Sequence, residues 1–289
     1  MTSSLDYLVT GASGQLGALV LAGLRAAEPG ARIGALVRRP ETAEALAAQG
    51  FEVRLASYDD SAALQAALQG VGKLLLVSSS EVGKRAAQHT RVIEAAKAAG
   101  VGFVAYTSIL RADSSPLTVL PPEHLETERA LAASGLDHAV LRNGWYTENY
   151  VMSAAPALAH DALIGAAGEG RISSAARADY AAAAVAVLTG PQPASGTVYE
   201  LAGDDSYTLS DFAAALSDLA GKPVPYVNMT EAAYAAALTG AGLPAPLAEM
   251  LADSDAGAAQ GGLYSDDHTL SRLIGRPTTP WRDTLRAAL

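Results

Sequence analysis

Short apolar runs alternate with stretches of helical period through the first half of the chain, the pattern of a parallel sheet covered on both faces. The runs predict strands over residues 5–10, 32–37, 52–55, 73–77, 101–109 and 138–142. Apolar positions three and four apart predict helices over 15–27, 41–49, 61–69 and 85–99, and a further one over 121–135. Gly100 is expected to close the fourth of these helices, and the Glu28-Pro29-Gly30 sequence marks a turn. The expected fold class is α/β, a doubly wound parallel sheet.

After Gly144 the rhythm gives way to aromatic, Gly-rich and Ala-rich pieces. These predict a helix over 177–190, a strand over 196–203 and an N-capped helix over 208–221. The expected division is a nucleotide-binding domain over 1–150 and a smaller α/β substrate lobe over 151–289. The helix near 177–189 is expected to pack back on the first domain, so that the two interleave. No internal repeat or coiled-coil heptad runs through the chain.

Composition narrows the classes. Half of the 289 residues are hydrophobic, but much of this is scattered Ala, and no run reaches the roughly 18 apolar residues that span a bilayer. The opening MTSSLDYLVTG has no Lys or Arg ahead of its apolar run, so it reads as a strand and not as a leader, and a cytoplasmic protein is expected. Zero cysteines exclude a disulfide framework, a thiolate metal site and a Cys nucleophile. Twenty Lys and Arg against thirty Asp and Glu give a net charge of −10, which argues against a broad nucleic-acid contact. Neither a membrane nor a nucleic acid is expected as a partner, and no metal signature is present.

The chemistry begins at Gly11, Ala12, Ser13, Gly14, Gln15, Leu16 and Gly17, which follow a strand and open a helix. In that context Gly11 permits a tight turn, Gly14 admits a pyrophosphate and Gly17 lets the helix pack closely, while free N–H groups at the helix start face the phosphates. The expected architecture is therefore Rossmann-like. An NAD site places an acid about 20 residues further on, at the end of the second strand. Arg38 and Arg39 stand there instead, and a guanidinium suits a 2′-phosphate, so the expected cofactor is NADPH. Two solvated arginines at a strand end are the plain alternative.

Ser78, Ser79 and Ser80 end the fourth strand at the carboxyl edge of the sheet, either lining the cofactor's nicotinamide half or forming a polar turn. Tyr106 and Ser108 share one face of the fifth strand, with Thr107 on the other. His124 lies on the following helix one turn before Glu128, so the pair could orient an imidazole or simply face solvent. Tyr106 and His124 are the candidate catalytic residues. Asn143, Gly144, Trp145 and Tyr146 offer amides beside flat aromatic surface, suited to a nicotinamide, while Tyr146, Asn149 and Tyr150 are candidates for holding a planar substrate. Trp145 and Tyr146 as a plug between lobes are the alternative.

Together VTGASGQLG, ALVRRP, LLLVSSSEVGKRAAQH, AAKAAGVGFVAYTS, EHLETE, LRNGWYTENY, ADYAAAA and LIGRPTTP resemble the NmrA-like branch of the atypical short-chain dehydrogenase/reductases. Within it they look most like the bacterial NAD(P)H:quinone oxidoreductases of the second type. The resemblance implies direct reduction of a small planar quinone by NADPH without a flavin. It also implies cofactor contacts from Gly11 to Gly17, at Arg38, near Ser80 and from Asn143 to Tyr146. A homodimer is the assembly to test. Two rivals remain open: an NADP(H)-sensing regulator of the NmrA kind, and a reductase of dyes, imines or ketones.

One departure bears on mechanism. Short-chain reductases set a Lys four residues after the catalytic Tyr, but here Leu110 follows Tyr106 at that spacing, and no other Tyr has such a Lys. Isoflavone-reductase relatives place a catalytic Lys on the helix that carries EHLETE, and this chain has no Lys there. Hydride addition to a ketone gives an alkoxide whose conjugate acid lies near 16, whereas a quinone gives a phenolate whose conjugate acid lies nearer 10. The difference, roughly 8 kcal/mol at about 1.36 kcal/mol per pKa unit, lets a conjugated acceptor dispense with a strong acid.

Overall fold

The computed structural model describes residues 4–289, so the part of the no-leader reading that rests on residues 1–3 lies outside the described residues. The first half runs β1 (Leu5–Val9), α1 (Gln15–Ala27), β2 (Ile33–Val37), α2 (Pro40–Ala48), β3 (Glu52–Leu55), α3 (Ser61–Ala67), β4 (Val71–Leu76), α4 (Arg85–Ala99), β5 (Phe103–Ile109), α5 (Pro121–Ser134) and β6 (His138–Asn143). There follow α6 (Thr147–Val151), α7 (Ala154–Ala159), β7 (Leu163–Gly165), α8 (Arg177–Thr189), β8 (Thr197–Leu201), α9 (Leu209–Ala220), β9 (Tyr226–Asn228), α10 (Glu231–Gly240), α11 (Ala245–Ala259), α12 (Thr269–Ile274) and α13 (Trp281–Ala287).

Seven strands form one sheet in the order β3-β2-β1-β4-β5-β6-β8, and β7 pairs with β9 in a second, two-stranded sheet. The pairings from β3 through β5 are parallel. Every residue of β2, β5 and β6 is buried, as strands covered on both faces require. The order reverses at β1, from which the chain crosses to β2 on one side and later to β4 on the other, and ligands of open α/β sheets bind at the carboxyl ends of such strands. The fold is the expected α/β, Rossmann-like one.

The chain forms two compact units. One comprises the chain up to Ile109 with Glu123–Arg142 and Tyr180–Tyr199; the other comprises Leu110–Pro122, Asn143–Asp179 and Glu200–Leu289. In the first unit, Leu8, Leu64, Leu68, Leu74, Val92, Val104 and Leu131 build a core that also contains Tyr106. Leu16, Val20, Leu21 and Leu24 form the buried stripe of α1, and Gly100 ends α4 at φ 71°, its N–H donating to Ala96 and Lys97 carbonyls. Lys73 Nζ donates to the Leu188 carbonyl at 2.6 Å, and Val185 packs where a Cβ on Gly23 would lie 2.8 Å away, which fixes the later part of α8 within this unit.

β4 starts two residues before the expected position, because Gly72 reads as a strand breaker in sequence. In the fold a Cβ there would stand 3.1 Å from the Asp6 carbonyl, so the glycine serves a close approach of β1. In the second unit Tyr150, Tyr207, Phe212 and Trp281 form an aromatic cluster, with Tyr207 and Trp281 centroids 4.4 Å apart. Such ring pairs add about 0.5–1.5 kcal/mol each beyond the area they bury. The Thr208 cap of α9 is a reciprocal box with Asp211. Among the described residues no helix is long and apolar enough to cross a membrane.

Candidate functional site

β1 ends at Val9, and Gly11 takes a left-handed φ of 57° that a side chain would strain. The Gly14 N–H donates to the Gly11 carbonyl at 2.9 Å and closes the loop. A Cβ on Gly17 would fall 2.4 Å from that carbonyl, so the third glycine is required for the loop to sit on its own helix. Gly14 is the N-cap of α1 and no side chain caps it, which leaves first-turn N–H groups directed outward. Ser13, Gly14 and Gln15 are exposed, while Ala12 and Leu16 are buried and can offer only backbone groups. Apart from Gln15, the exposed residues of this loop offer only main chain and a serine hydroxyl, the composition of a phosphate cradle.

Two neighbouring loops flank this one. From the end of β2, Arg38 extends its guanidinium to Glu81, Nη1 to Oε1 at 2.8 Å, and is 65% exposed at the side chain. Arg39 instead caps α2, its carbonyl accepting from Thr42, with its own side chain exposed. From the end of β4, Val77 lies 3.4 Å from the position of a Cβ on Gly11. Its N–H donates to Thr10 Oγ1.

The three serines differ in their settings. Ser78 N–H donates to Thr107 Oγ1 at 2.9 Å. Ser79 is held by its N–H donating to His89 Nε2, its hydroxyl donating to Gln88 and its carbonyl accepting from Arg85 Nε. Ser80 is exposed. Ser79 therefore works as an anchor, and Ser80 is the exposed one of the three.

His89 shows its protonation state through its partners. Nε2 accepts from Ser79, so the proton is on Nδ1, which donates to Thr127 Oγ1 at 2.9 Å, and Thr127 in turn donates to the Glu123 carbonyl. Burial, aided by the Arg85 charge, lowers its pKa to about 3. His124 is buried too, and Nδ1 stands 2.7 Å from Tyr106 Oη. Burial together with Arg85 and His89 drives its pKa well below the usual imidazole range, and burial raises that of the Tyr106 phenol.

Tyr106 is 0% exposed. Glu128 is not the partner of His124: its carboxylate accepts from Ser108 Oγ at 2.5 Å and takes a two-point contact from Arg142, at 3.0 and 2.7 Å. Sequence favoured an exposed His124 with a helical partner; the fold turns this face of α5 onto β5, so both polar groups are buried and find strand partners.

In the second unit, Asn143 closes β6 with its side-chain Oδ1 buried and without a hydrogen-bond partner, while its amide group bonds the Tyr146 phenol. An orphan acceptor of this kind invites an N–H donor. Gly144 N–H donates to the Leu201 carbonyl, and the Trp145 carbonyl accepts from Ala175, so the turn is fixed by backbone bonds. Arg177 holds the next stretch: its guanidinium lies 5.0 Å from the Tyr146 ring centroid, its Nη2 donates to Asn149 Oδ1 at 2.8 Å, and its N–H donates to Glu148. Tyr150 points into the aromatic cluster, its hydroxyl donating to Asp255 at 2.8 Å, and burial raises the Asp255 carboxyl to about 6. Of the three substrate candidates, Tyr146 and Asn149 are half-buried and Tyr150 is buried.

Neither Glu81 nor Arg177 was among the site residues expected from sequence. Each earns a place only by what it touches, although the Glu that follows three serines at the end of a strand was a usable signal. Among the described residues no group of three or more His, Cys, Asp or Glu is placed to hold a metal ion.

The chain is 59% identical to quinone oxidoreductase 2 of Escherichia coli (strain K12) over 94% of its length and 94% of that protein. Its structure is similar to the crystal structure of the NADPH-dependent quinone oxidoreductase QOR2 of that species complexed with NADPH, with TM-score 0.94, 57% identity, and 97% and 99% of the two chains covered. It is also similar to the Citrobacter sp. triphenylmethane reductase complexed with NADP(H), with TM-score 0.92, 34% identity, and 98% and 100% coverage. The NmrA-like family model matches residues 5–265, and the chain belongs to that family.

Proposed function

We propose that this protein is an NADPH-dependent quinone reductase that works by direct hydride transfer, without a flavin. The observation that carries the reading is the glycine cradle at the uncapped start of α1 with the Arg38 guanidinium at the end of the adjacent β2. The residues fit the cofactor. Gly14 presents no side chain to a pyrophosphate, Arg38 supplies a guanidinium for a 2′-phosphate, and the orphan Oδ1 of Asn143 suits the N–H donors of a carboxamide. In this reading the loop from Gly11 to Gly17 would hold the pyrophosphate, Arg38 the 2′-phosphate and Ser80 with Asn143 the nicotinamide half, and Tyr146 with Asn149 would contact the quinone. NADPH, when bound, supplies the hydride. The 59% identical quinone oxidoreductase and the NADPH complex of a like structure support the same assignment.

The chain's own task is orientation and exclusion of competing contacts, since a near-attack geometry accounts for much of such a rate. No strong acid is needed, because the product is a phenolate that water can protonate. Tyr106 and His124 are read as a structural pair: the phenol has no exposed surface and its hydroxyl is engaged with the imidazole. A cytoplasmic location accords with the absence of cysteine, and a homodimer is the assembly to measure.

The test is enzyme-dependent loss of reduced-nicotinamide absorbance with 1,4-benzoquinone, corrected for the uncatalysed reaction. Saturable turnover is expected. NADPH binding without turnover would favour a sensor instead. Likeness to the triphenylmethane reductase supports a second reading, a dye reductase, which would show preference for triphenylmethane dyes over quinones on the same acceptor panel.

A further inference from the structure

Arg38 is already occupied. Its partner Glu81 belongs to the loop after β4, so the ion pair joins the loops that follow the two strands flanking β1, and the glycine loop leaves β1 between them. We propose that Glu81 is an internal rival of the cofactor's 2′-phosphate for Arg38 and thereby sets the preference for NADPH over NADH. The proposal rests on the reading of Arg38 as the ligand of that phosphate.

The loop that presents Glu81 is firmly built. Ser79 is fixed at its N–H, hydroxyl and carbonyl; Gly83 N–H donates to Glu123 Oε1 at 3.0 Å; and Arg85, itself buried, pairs with the same Glu123 at 3.4 Å. Glu81 N–H donates to Ser79 Oγ at 3.2 Å, and the Glu81 carbonyl accepts from Lys84. The carboxylate thus projects from a fixed backbone, whereas Arg38 reaches it on a long and largely exposed side chain.

A carboxylate and a phosphate dianion cannot both sit against one guanidinium without repulsion, so the phosphate must displace Glu81. A second cation is ready for the displaced carboxylate, since Lys84 Nζ already lies 3.6 Å from Glu81 Oε2. A cofactor without the 2′-phosphate brings no competing anion and leaves the Arg38–Glu81 pair in place. Enzymes that take NAD set an acid at the end of the second strand. Here the acid comes from the loop after the fourth strand and is aimed at an arginine, so it opposes NADPH binding without abolishing it.

The experiment uses 2′,5′-ADP and 5′-AMP as probes, which differ only by the 2′-phosphate, titrated calorimetrically into the wild type, Glu81→Gln, Arg38→Ala and the double variant. An exposed pair of this kind is worth up to about fivefold in an equilibrium, so Glu81→Gln should tighten 2′,5′-ADP about two- to fivefold and leave 5′-AMP unchanged. In the Arg38→Ala background the gain should vanish. Both side chains are partly exposed, so thermal midpoints should match the wild type and confirm that folding is intact.

No tightening in Glu81→Gln, an equal gain for both probes, or a gain that persists without Arg38 would each overturn the rivalry. Loss of 2′,5′-ADP affinity in Arg38→Ala with no response to Glu81→Gln would end this proposal and leave the cofactor assignment standing. If Arg38→Ala treats the two probes alike, the assignment of Arg38 fails first, and the proposal falls with it.

Discussion

Tyr106→Phe should reduce stability and spare catalysis. The substitution keeps the ring, which is fully buried in the core beneath β5, and removes one hydroxyl. That hydroxyl stands 2.7 Å from His124 Nδ1, and His124 is itself buried, so the variant leaves an imidazole nitrogen without its partner. An unsatisfied buried polar group costs about 1–3 kcal/mol. At about 2–3 °C per kcal/mol for a chain of this size, the thermal midpoint should fall by about 2–9 °C.

Loss of a general acid, by contrast, would lower the rate by about 10² to 10⁴. The assay is kcat for benzoquinone with saturating NADPH, measured alongside the thermal midpoint and cofactor affinity. A severalfold change in kcat with a lowered midpoint is expected. A thousandfold fall in kcat at an unchanged midpoint and cofactor affinity would refute the reasoning and make the phenol the proton donor. The double variant with His124→Leu adds a check: removing both polar partners should restore part of the lost stability, since no orphan then remains.

Gly17→Ala should abolish binding of both NADPH and NADH in direct titrations, because its Cβ would lie 2.4 Å from the Gly11 carbonyl and force the loop apart; unchanged titrations would remove the loop from the site. Glu128→Gln should cost about 1.5–3 kcal/mol in denaturant unfolding, because it weakens the two-point contact that the carboxylate makes with the buried Arg142 guanidinium; a cost under about 0.5 kcal/mol would show that the pair is solvated.

Acidification should also destabilise the protein. His89 and His124 are held below the unfolded value of 6.5, so the unfolded chain binds protons that the folded one refuses, and stability present above 6.5 is lost as pH falls, by about 1.4 kcal/mol per pH unit for each imidazole. Asp255 acts in the opposite sense, since its folded carboxyl titrates at about 6 against an unfolded value of 3.8 and so binds a proton first in the folded state. Two imidazoles against one carboxyl leave a net loss of stability between pH 5.5 and 4.5. Equal or greater resistance to guanidinium at pH 4.5 would contradict it.

The sequence by itself determined the parts of this protein that depend on local chemistry and period. Alternating apolar runs and helical stripes specify the strands and helices of the sheet, because burial on both faces requires near-continuous apolar strands. The glycines of the first loop were legible for a similar reason: a positive φ at Gly11 and a Cβ-free contact at Gly17 are demands that few residues meet. Arg38 in place of an acid was visible too, since the end of the second strand is a position set by counting along the chain.

Tertiary structure decided which of those residues face one another, and pairings across 14 to 105 residues leave no trace in local pattern. Only the fold turns Tyr106 and His124 inward, gives Glu128 to Arg142 and Ser108, and sends Tyr150 to Asp255. Only the fold sets Glu81 against Arg38, because β2 and β4, well separated along the chain, flank the same strand. A side chain's charge is written in sequence, but the partner that balances it is fixed by strand order and by which face of a helix the core demands.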